Sequence, residues 1–168
     1  MRIKLQTLLL GVLIVSCSQT TTAAEKAVGI RAGYSTRNTC PLAGLSFQYT
    51  FTPHFRLAPS ADYMFRHHGT DAFAFNINAQ FPIVLSAGNT WRFYPLAGVA
   101  YCNWNHHTVS DDDAHRDVST HTTRFGINVG AGVEYMCTST LKLSLEGKYN
   151  MVKSFSAGVF NVGIAYVF

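Results

Sequence analysis

The chain has 168 residues, enough for one domain, and combines a hydrophobic fraction of 48% with a charged fraction of only 13%. Soluble globular proteins carry about 25% charge, so a water-facing surface of ordinary polarity is hard to build from this composition. An aromatic share of 13% excludes a disordered chain. The formal charge of +4 does not make a nucleic-acid binder, because the basic residues are scattered singly, with no run or helical stripe to neutralise successive phosphates. Beyond residue 17 no apolar stretch approaches the ~20 residues of a membrane helix.

The first 24 residues read as a secretory leader. Arg2 and Lys4 form a basic start, Leu8 to Val15 an apolar core about half a membrane span long, and Thr22-Ala23-Ala24 a small-residue cleavage site. Ile14-Val15-Ser16-Cys17 also fits a lipobox, so acylation at Cys17 stands as the alternative to cleavage after Ala24. Both routes export the chain; cleavage after Ala24 leaves residues 25–168 as the mature domain. Cleavage after Ala24 leaves Cys40, Cys102 and Cys137, an odd number, so at least one thiol is free or bonds another molecule. Their spacing fits no zinc motif. Whether Cys40 and Cys102 pair stays open.

From residue 28 the hydrophobic pattern repeats every two residues, the signature of strands with two unlike faces. A first strand, 27–36, sets Val28, Ile30, Ala32 and Tyr34 against Gly29, Arg31 and Gly33. The second, 42–51, alternates Leu45, Phe47, Tyr49 and Phe51 with Gly44, Ser46, Gln48 and Thr50, and turns at Thr52-Pro53-His54. A third, 55–66, and a fourth, 71–81, are joined through His67-His68-Gly69-Thr70. The fifth, 91–102, is followed by a polar stretch, Asn103 to Thr123, that reads as a long loop. The sixth, 124–136, alternates most cleanly; a seventh spans 141–150, and an eighth runs to Phe168. Pro59 and Pro95 fall inside strands, where each removes a ladder hydrogen bond, so a bulge is expected at both. Eight sequential strands with no helix to cover a sheet close most simply into an all-β, antiparallel up-and-down barrel.

Alternation alone does not say which face is outside, and a soluble lipocalin-like barrel would reverse the two. The apolar face reads as free of charge on every strand. The other face carries Arg31, Arg56, Asp62, Arg66, Arg92, Arg124, Glu134, Lys142, Glu146 and Lys148. Lipid would enforce that exclusion at ~2–4 kcal/mol per charge, but a soluble core would exclude charge too. Depth sorting is more telling. Aromatic residues of the apolar face gather near strand ends, with Tyr34, Tyr63, Tyr101 and Phe125 at one rim and Phe55, Phe81, Trp91 and Tyr135 at the other. Aliphatic residues such as Leu57, Ile77, Val99, Ile127 and Leu143 lie between them. Two aromatic belts around an aliphatic band are what membrane interfaces select. Glycine concentrates on the polar face, which suits a crowded lumen. The apolar face is therefore read as facing lipid, and the fold as a transmembrane β-barrel.

On these features, and most specifically on Phe93-Tyr94-Pro95-Leu96-Ala97-Gly98-Val99 and Val162-Gly163-Ile164-Ala165-Tyr166-Val167-Phe168, the chain resembles the small eight-stranded outer-membrane barrels of Gram-negative bacteria. These are the OmpA-transmembrane-domain and OmpX type, and the "porin family" barrel domains of Bacteroidetes. The resemblance implies that Tyr166 and Phe168 form the signal read by the barrel-assembly machinery. It also implies that both termini are periplasmic and that residues 37–41, 67–70, 103–123 and 151–156 face outside. The implied partners are outer-membrane lipid, the assembly machinery and an unidentified extracellular ligand, with the barrel acting as a monomer.

Three chemistries are open to such a chain. Lumen cations outnumber lumen acids seven to three, and pairing of Asp62, Glu134 and Glu146 with nearby Arg and Lys would plug the lumen. A narrow anion-preferring channel is the alternative. His106, His107, His115 and His121, near Asp111-Asp112-Asp113, are candidate metal ligands, but no pair has a diagnostic spacing and the loop is read as polar. Catalysis of the lipid-acylase kind needs a Ser–His pair with an orienting acid, and no such set is evident. The sequence reading is a non-enzymatic, cofactor-free surface protein for binding, adhesion or envelope support, with a small-solute channel and an exported lipocalin-like binder as rivals.

Overall fold

The computed structural model describes residues 25–37, 39–67, 70–86, 88–109, 117–152 and 156–168; the side chains of 66, 67, 70, 106–109 and 117–121 fall outside the description. Residues 1–24, the expected leader with its cleavage site and Cys17, lie outside the described residues. The chain folds as β1 (Lys26–Ser35), β2 (Cys40–Thr52), β3 (Phe55–His67), β4 (Thr70–Gln80), β5 (Ile83–Val84), β6 (Trp91–Val109), β7 (Asp117–Met136), β8 (Leu141–Val152) and β9 (Ala157–Val167). Each long strand pairs antiparallel with its sequence neighbours. The ring closes where β1 pairs β9, from Ala27↔Val167 to Ser35↔Val159. The two-residue β5 lies beside the start of β6, so β4 pairs β6 directly and eight long strands make the barrel. Closure removes both sheet edges and gives the backbone polar groups partners within the protein, which hydrocarbon requires.

The two faces separate as the alternation predicts. Outward positions hold Ile30, Leu45, Val99, Ile127 and Phe125, the last 76% exposed, while inward positions hold Arg56, Asn128 and Glu134, each 0% exposed. A water-soluble barrel would reverse this order, so the lipocalin-like alternative fails. The apolar exterior is instead the surface that lipid solvates. Its aromatic residues form contacting rims. Phe51, Phe55 and Phe81 stand in a row with ring centroids 5.8 and 5.6 Å apart, and Trp91 lies 4.7 Å from Tyr135 at the same end. At the far end Tyr101 meets Phe125 at 5.2 Å and Tyr63 meets Phe65 at 5.5 Å.

Four expectations need correction. Asn103 to Thr123 is not simply a loop: the β6–β7 ladder continues from Asn103↔Thr123 to Val109↔Asp117. These pairs follow Tyr101 and Phe125, the last outward aromatic residues of the two strands, so the strands persist while their apolar period disappears. Neither proline makes a bulge. Pairing of β2 with β3 is interrupted opposite Ala58 and Pro59 but resumes at Tyr49↔Leu57 in unchanged register. Pro95 stays in register opposite Ala131, and its carbonyl accepts from the Phe81 N–H at 3.0 Å. Its nitrogen therefore points toward the β4 side, past the last β4–β6 pair, and no bond to β7 is lost. Finally, Asp71 falls on the outward parity of β4, buried at its outer end, where it accepts from Asn105 Nδ2 at 3.1 Å.

The outward assignment predicts that Ile127→Lys, in the middle of the aliphatic band, lowers stability by ~2–4 kcal/mol in urea unfolding from phospholipid vesicles. A cost below ~1 kcal/mol would mean that residue 127 does not face hydrocarbon.

Candidate functional site

The lumen is built from inward residues of all eight long strands, and its composition changes with depth. At the end carrying the described termini, Glu134 of β7 is the hub. Its carboxylate receives Arg56 Nη1 at 2.9–3.0 Å, with Arg92 Nη1 at 3.6 Å and Lys142 Nζ at 3.9 Å. Glu25, just before β1, joins this group through Lys142 Nζ at 3.4 Å and Arg92 Nη1 at 3.5 Å. Arg56 also donates from Nε to Gln80 Oε1 at 2.7 Å and lies 5.1 Å over the ring of Tyr94.

Gln80 links this layer to the next by donating to Glu146 at 3.3 Å. There Arg31 forms a two-pronged pair with Asp62, through Nε at 2.6 Å and through Nη2, and reaches Glu146 at 3.6 Å and Ser60 Oγ at 2.7 Å. Lys148 Nζ lies 3.9 Å from Glu146. Tyr94 donates to Glu146 at 3.4 Å and is seated flat against Gly132, where any Cβ would overlap its ring. Above these charges an amide layer follows, in which Asn128 Nδ2 donates to Asn76 and Asn78 at 3.0 and 2.9 Å.

The outer part of the lumen is apolar. Cys40, Leu42, Met64, Ala72, Ala74, Ala100, Cys102, Trp104 and Val159 form one buried cluster. Sequence reading misses this plug, because isolated apolar residues at inward positions look like breaks in the alternation. It misses Glu25 as well, which precedes the first alternating residues. Cys40 and Cys102 are free buried thiols, and Cys137 is a free exposed one. In the charged middle, a cavity of 20 Å³ bordered by Arg31, Gln48, Glu146 and Asn161 has room for about one water.

Of the lumen charges expected from sequence, the structure brings together Arg31, Arg56, Asp62, Arg92, Glu134, Lys142, Glu146 and Lys148. Arg124 does not join them. It pairs in register with buried Cys102, but its own side chain is exposed, because β8 ends at the level of Gly126 and nothing covers that height of β7 from the β8 side among the described residues. The Arg66 side chain lies outside the described residues. Tyr166 and Phe168 face outward at the end carrying the termini, 6.4 Å apart. Among the expected metal ligands, His115 lies outside the described residues. In backbone register His121 partners Asn105, His107 partners Ser119 and His106 partners Thr120, so His107 and His121 share one parity and His106 the other. Register does not gather them into one set.

Partial burial disfavours charge on Glu25, but Lys142 and Arg92 outweigh it and hold the carboxyl below its ordinary 4.5.

A family model described as outer membrane protein beta-barrel domain matches residues 7–168. No curated protein matches the sequence. Among solved structures, the N-terminal β-barrel domain of Pseudomonas aeruginosa OprF is similar with a TM-score of 0.68 at 18% identity, over 86% of this chain and 97% of that one. Neisserial surface protein A gives 0.62 at 15% identity, over 89% and 100% of the two chains. Ail, the attachment invasion locus protein of Yersinia pestis, gives 0.61 at 13%, over 86% and 97%. At such identities the likeness is one of fold.

Two outcomes follow from the lumen. Glu134→Gln leaves Arg56 buried without its counter-ion and should cost ~3–5 kcal/mol in urea unfolding, the range for breaking a buried pair; a cost under ~1 kcal/mol would deny the hub role. For Glu25, a lowered folded pKa means stability that is present above the unfolded value of 4.5 and lost as pH falls through the folded one. The stability gap between wild type and Glu25→Gln should therefore be full at neutral pH and close in acid; a gap independent of pH would contradict the pairing.

Proposed function

This chain belongs to the outer membrane protein β-barrel domain family and is an outer-membrane barrel, and we propose that within it the protein is a non-conducting, non-enzymatic, monomeric platform for an extracellular binding arm. The observation that carries this reading is the β6–β7 ladder, which continues past the outer aromatic rim to Val109↔Asp117. A paired ribbon orders its backbone before any partner arrives, so less conformational entropy is lost on binding than from a free loop. The resemblance in fold to the attachment invasion locus protein of Yersinia pestis supports an adhesive role in kind.

The packed lumen argues for a platform over a channel. A hydrated ion moving through it would have to displace the Arg56–Glu134 pair, the Tyr94 ring and the Leu42–Met64–Trp104 plug in succession. In the same reading, Tyr166 and Phe168 present the assembly signal, residues 1–24 export the chain, and no cofactor takes part. Residues 103–123 also carry the candidate metal ligands His106, His107, His115 and His121.

Replacing residues 103–123 by a short turn should abolish adhesion of barrel-bearing cells to an extracellular-matrix-coated surface while the barrel still fractionates with outer membranes. Adhesion unchanged by that replacement would contradict the arm's role. Purified protein in planar bilayers should give no discrete conductance steps; regular steps would restore the channel reading. If the arm takes up metal, His106→Ala with His107→Ala should lower Zn²⁺ affinity, and unchanged affinity would dismiss it.

A further inference from the structure

The lumen charges are not balanced evenly along its depth. In the inner layer Arg31 and Lys148 face Asp62 and Glu146, two cations against two acids. At the mouth Arg56, Arg92 and Lys142 face Glu25 and Glu134, three against two, so a net +1 sits at the end carrying the described termini. A desolvated excess charge calls for a counter-ion.

Two further observations mark where it would sit. Arg56 is 0% exposed, yet its Nη2 has no hydrogen-bond partner among the described residues, although Nε and Nη1 are both engaged. Arg92 is held firmly only through Nε, which donates to Asn89 Oδ1 at 2.9 Å; its carboxylate contacts, at 3.5 and 3.6 Å, are long. Asn89 can take that position because it adopts φ 54° in the turn before β6, a conformation asparagine tolerates. Both arginines line a cavity of 220 Å³, the volume of about seven liquid waters, that is part of this mouth. Thr50 and Thr52 line its wall, and Pro53, Pro82 and Val84 add apolar surface.

We infer that this vestibule is a binding site for a carboxylate carried on a small apolar body, with the carboxylate held by Arg92 and the buried Arg56 adding its charge from behind. Arginine matches a carboxylate in geometry as well as in charge. The apolar wall selects for a compound with a hydrocarbon portion over a bare ion. By the family's topology this mouth opens to the periplasm, so the site is independent of the extracellular arm and of its ligand.

The test is an amide NMR titration of the whole folded chain in maltoside micelles, whose head groups are uncharged, with sodium benzoate as the probe. Saturable shifts should appear at Thr50, Thr52, Asn89 and Arg92 and should be absent with benzamide. Arg92→Gln should weaken benzoate binding about tenfold or more, as expected for loss of a charge-assisted contact. Glu25→Gln, which removes a competing acid and raises the excess to +2 in the tally above, should tighten it. No saturation with benzoate, an equal response to benzamide, or tighter binding of inorganic phosphate would each overturn the inference. If Arg92→Gln does not refold, Glu25→Gln decides alone, and unchanged or weaker binding there overturns it.

Discussion

Hydrocarbon offers no hydrogen-bond partner, so a strand that crosses it must find every backbone partner inside the protein. That constraint is met where β1 pairs β9 and β4 pairs β6. Much of the rest depends on this closure. Once the ring is shut, each strand has one face toward lipid and one toward a narrow lumen, and side chains sort by parity. The outward set becomes aliphatic in the middle and aromatic at both rims. The inward set is released from lipid but must satisfy its own polar groups in a space just wide enough for side chains.

The lumen meets that second demand in layers. Charged residues occupy the end near the termini and the middle, where Glu134 and Glu146 each serve several cations and Gln80 joins the two groups. Amides follow, and the outer part is closed by an apolar plug. Tyr94 spans the charged layers, engaging Glu146 through its hydroxyl, lying beneath Arg56 and resting on Gly132. Glycine at 132 is thus required by packing, and the Tyr94–Gly132 seat ties β6 to β7 side by side inside the barrel. A lumen filled in this way is packed with side chains over most of its depth. What is left accessible lies at its ends: the β6–β7 ribbon on one side and the arginine-lined vestibule on the other.

Strand order, faces and rims are legible in the sequence because lipid imposes a strict period of two on the outward residues. Ile127, Val129, Ala131 and Val133 leave little freedom of interpretation. Legibility ends where lipid ends. Beyond Tyr101 and Phe125 the outward positions are mostly polar, so Asn103–Val109 and Asp117–Thr123 look like loop although they pair. Inside, the sequence names the charges but not their partners. Arg56 and Glu134 are 78 residues apart, and Arg31 and Asp62 are 31 apart. Barrel tilt and stagger decide which of these meet, and neither is written in local pattern. The apolar plug is invisible for a related reason: Leu42, Met64 and Trp104 stand 22 and 40 residues apart in the chain and gain meaning only when β2, β3 and β6 converge. The prolines teach the same lesson, since their cost depends on which side of the strand the missing N–H would have pointed.

The account stands or falls on a closed barrel with its apolar face in lipid. The most direct measurement is electrophoretic mobility of the protein from fractionated cell envelopes, with and without boiling in detergent. The account predicts fractionation with outer membranes and a different mobility for the unboiled sample, because a closed ladder resists detergent until heated. A soluble periplasmic protein with one mobility under both conditions would contradict it, and would mean that the two faces of the sheet are reversed.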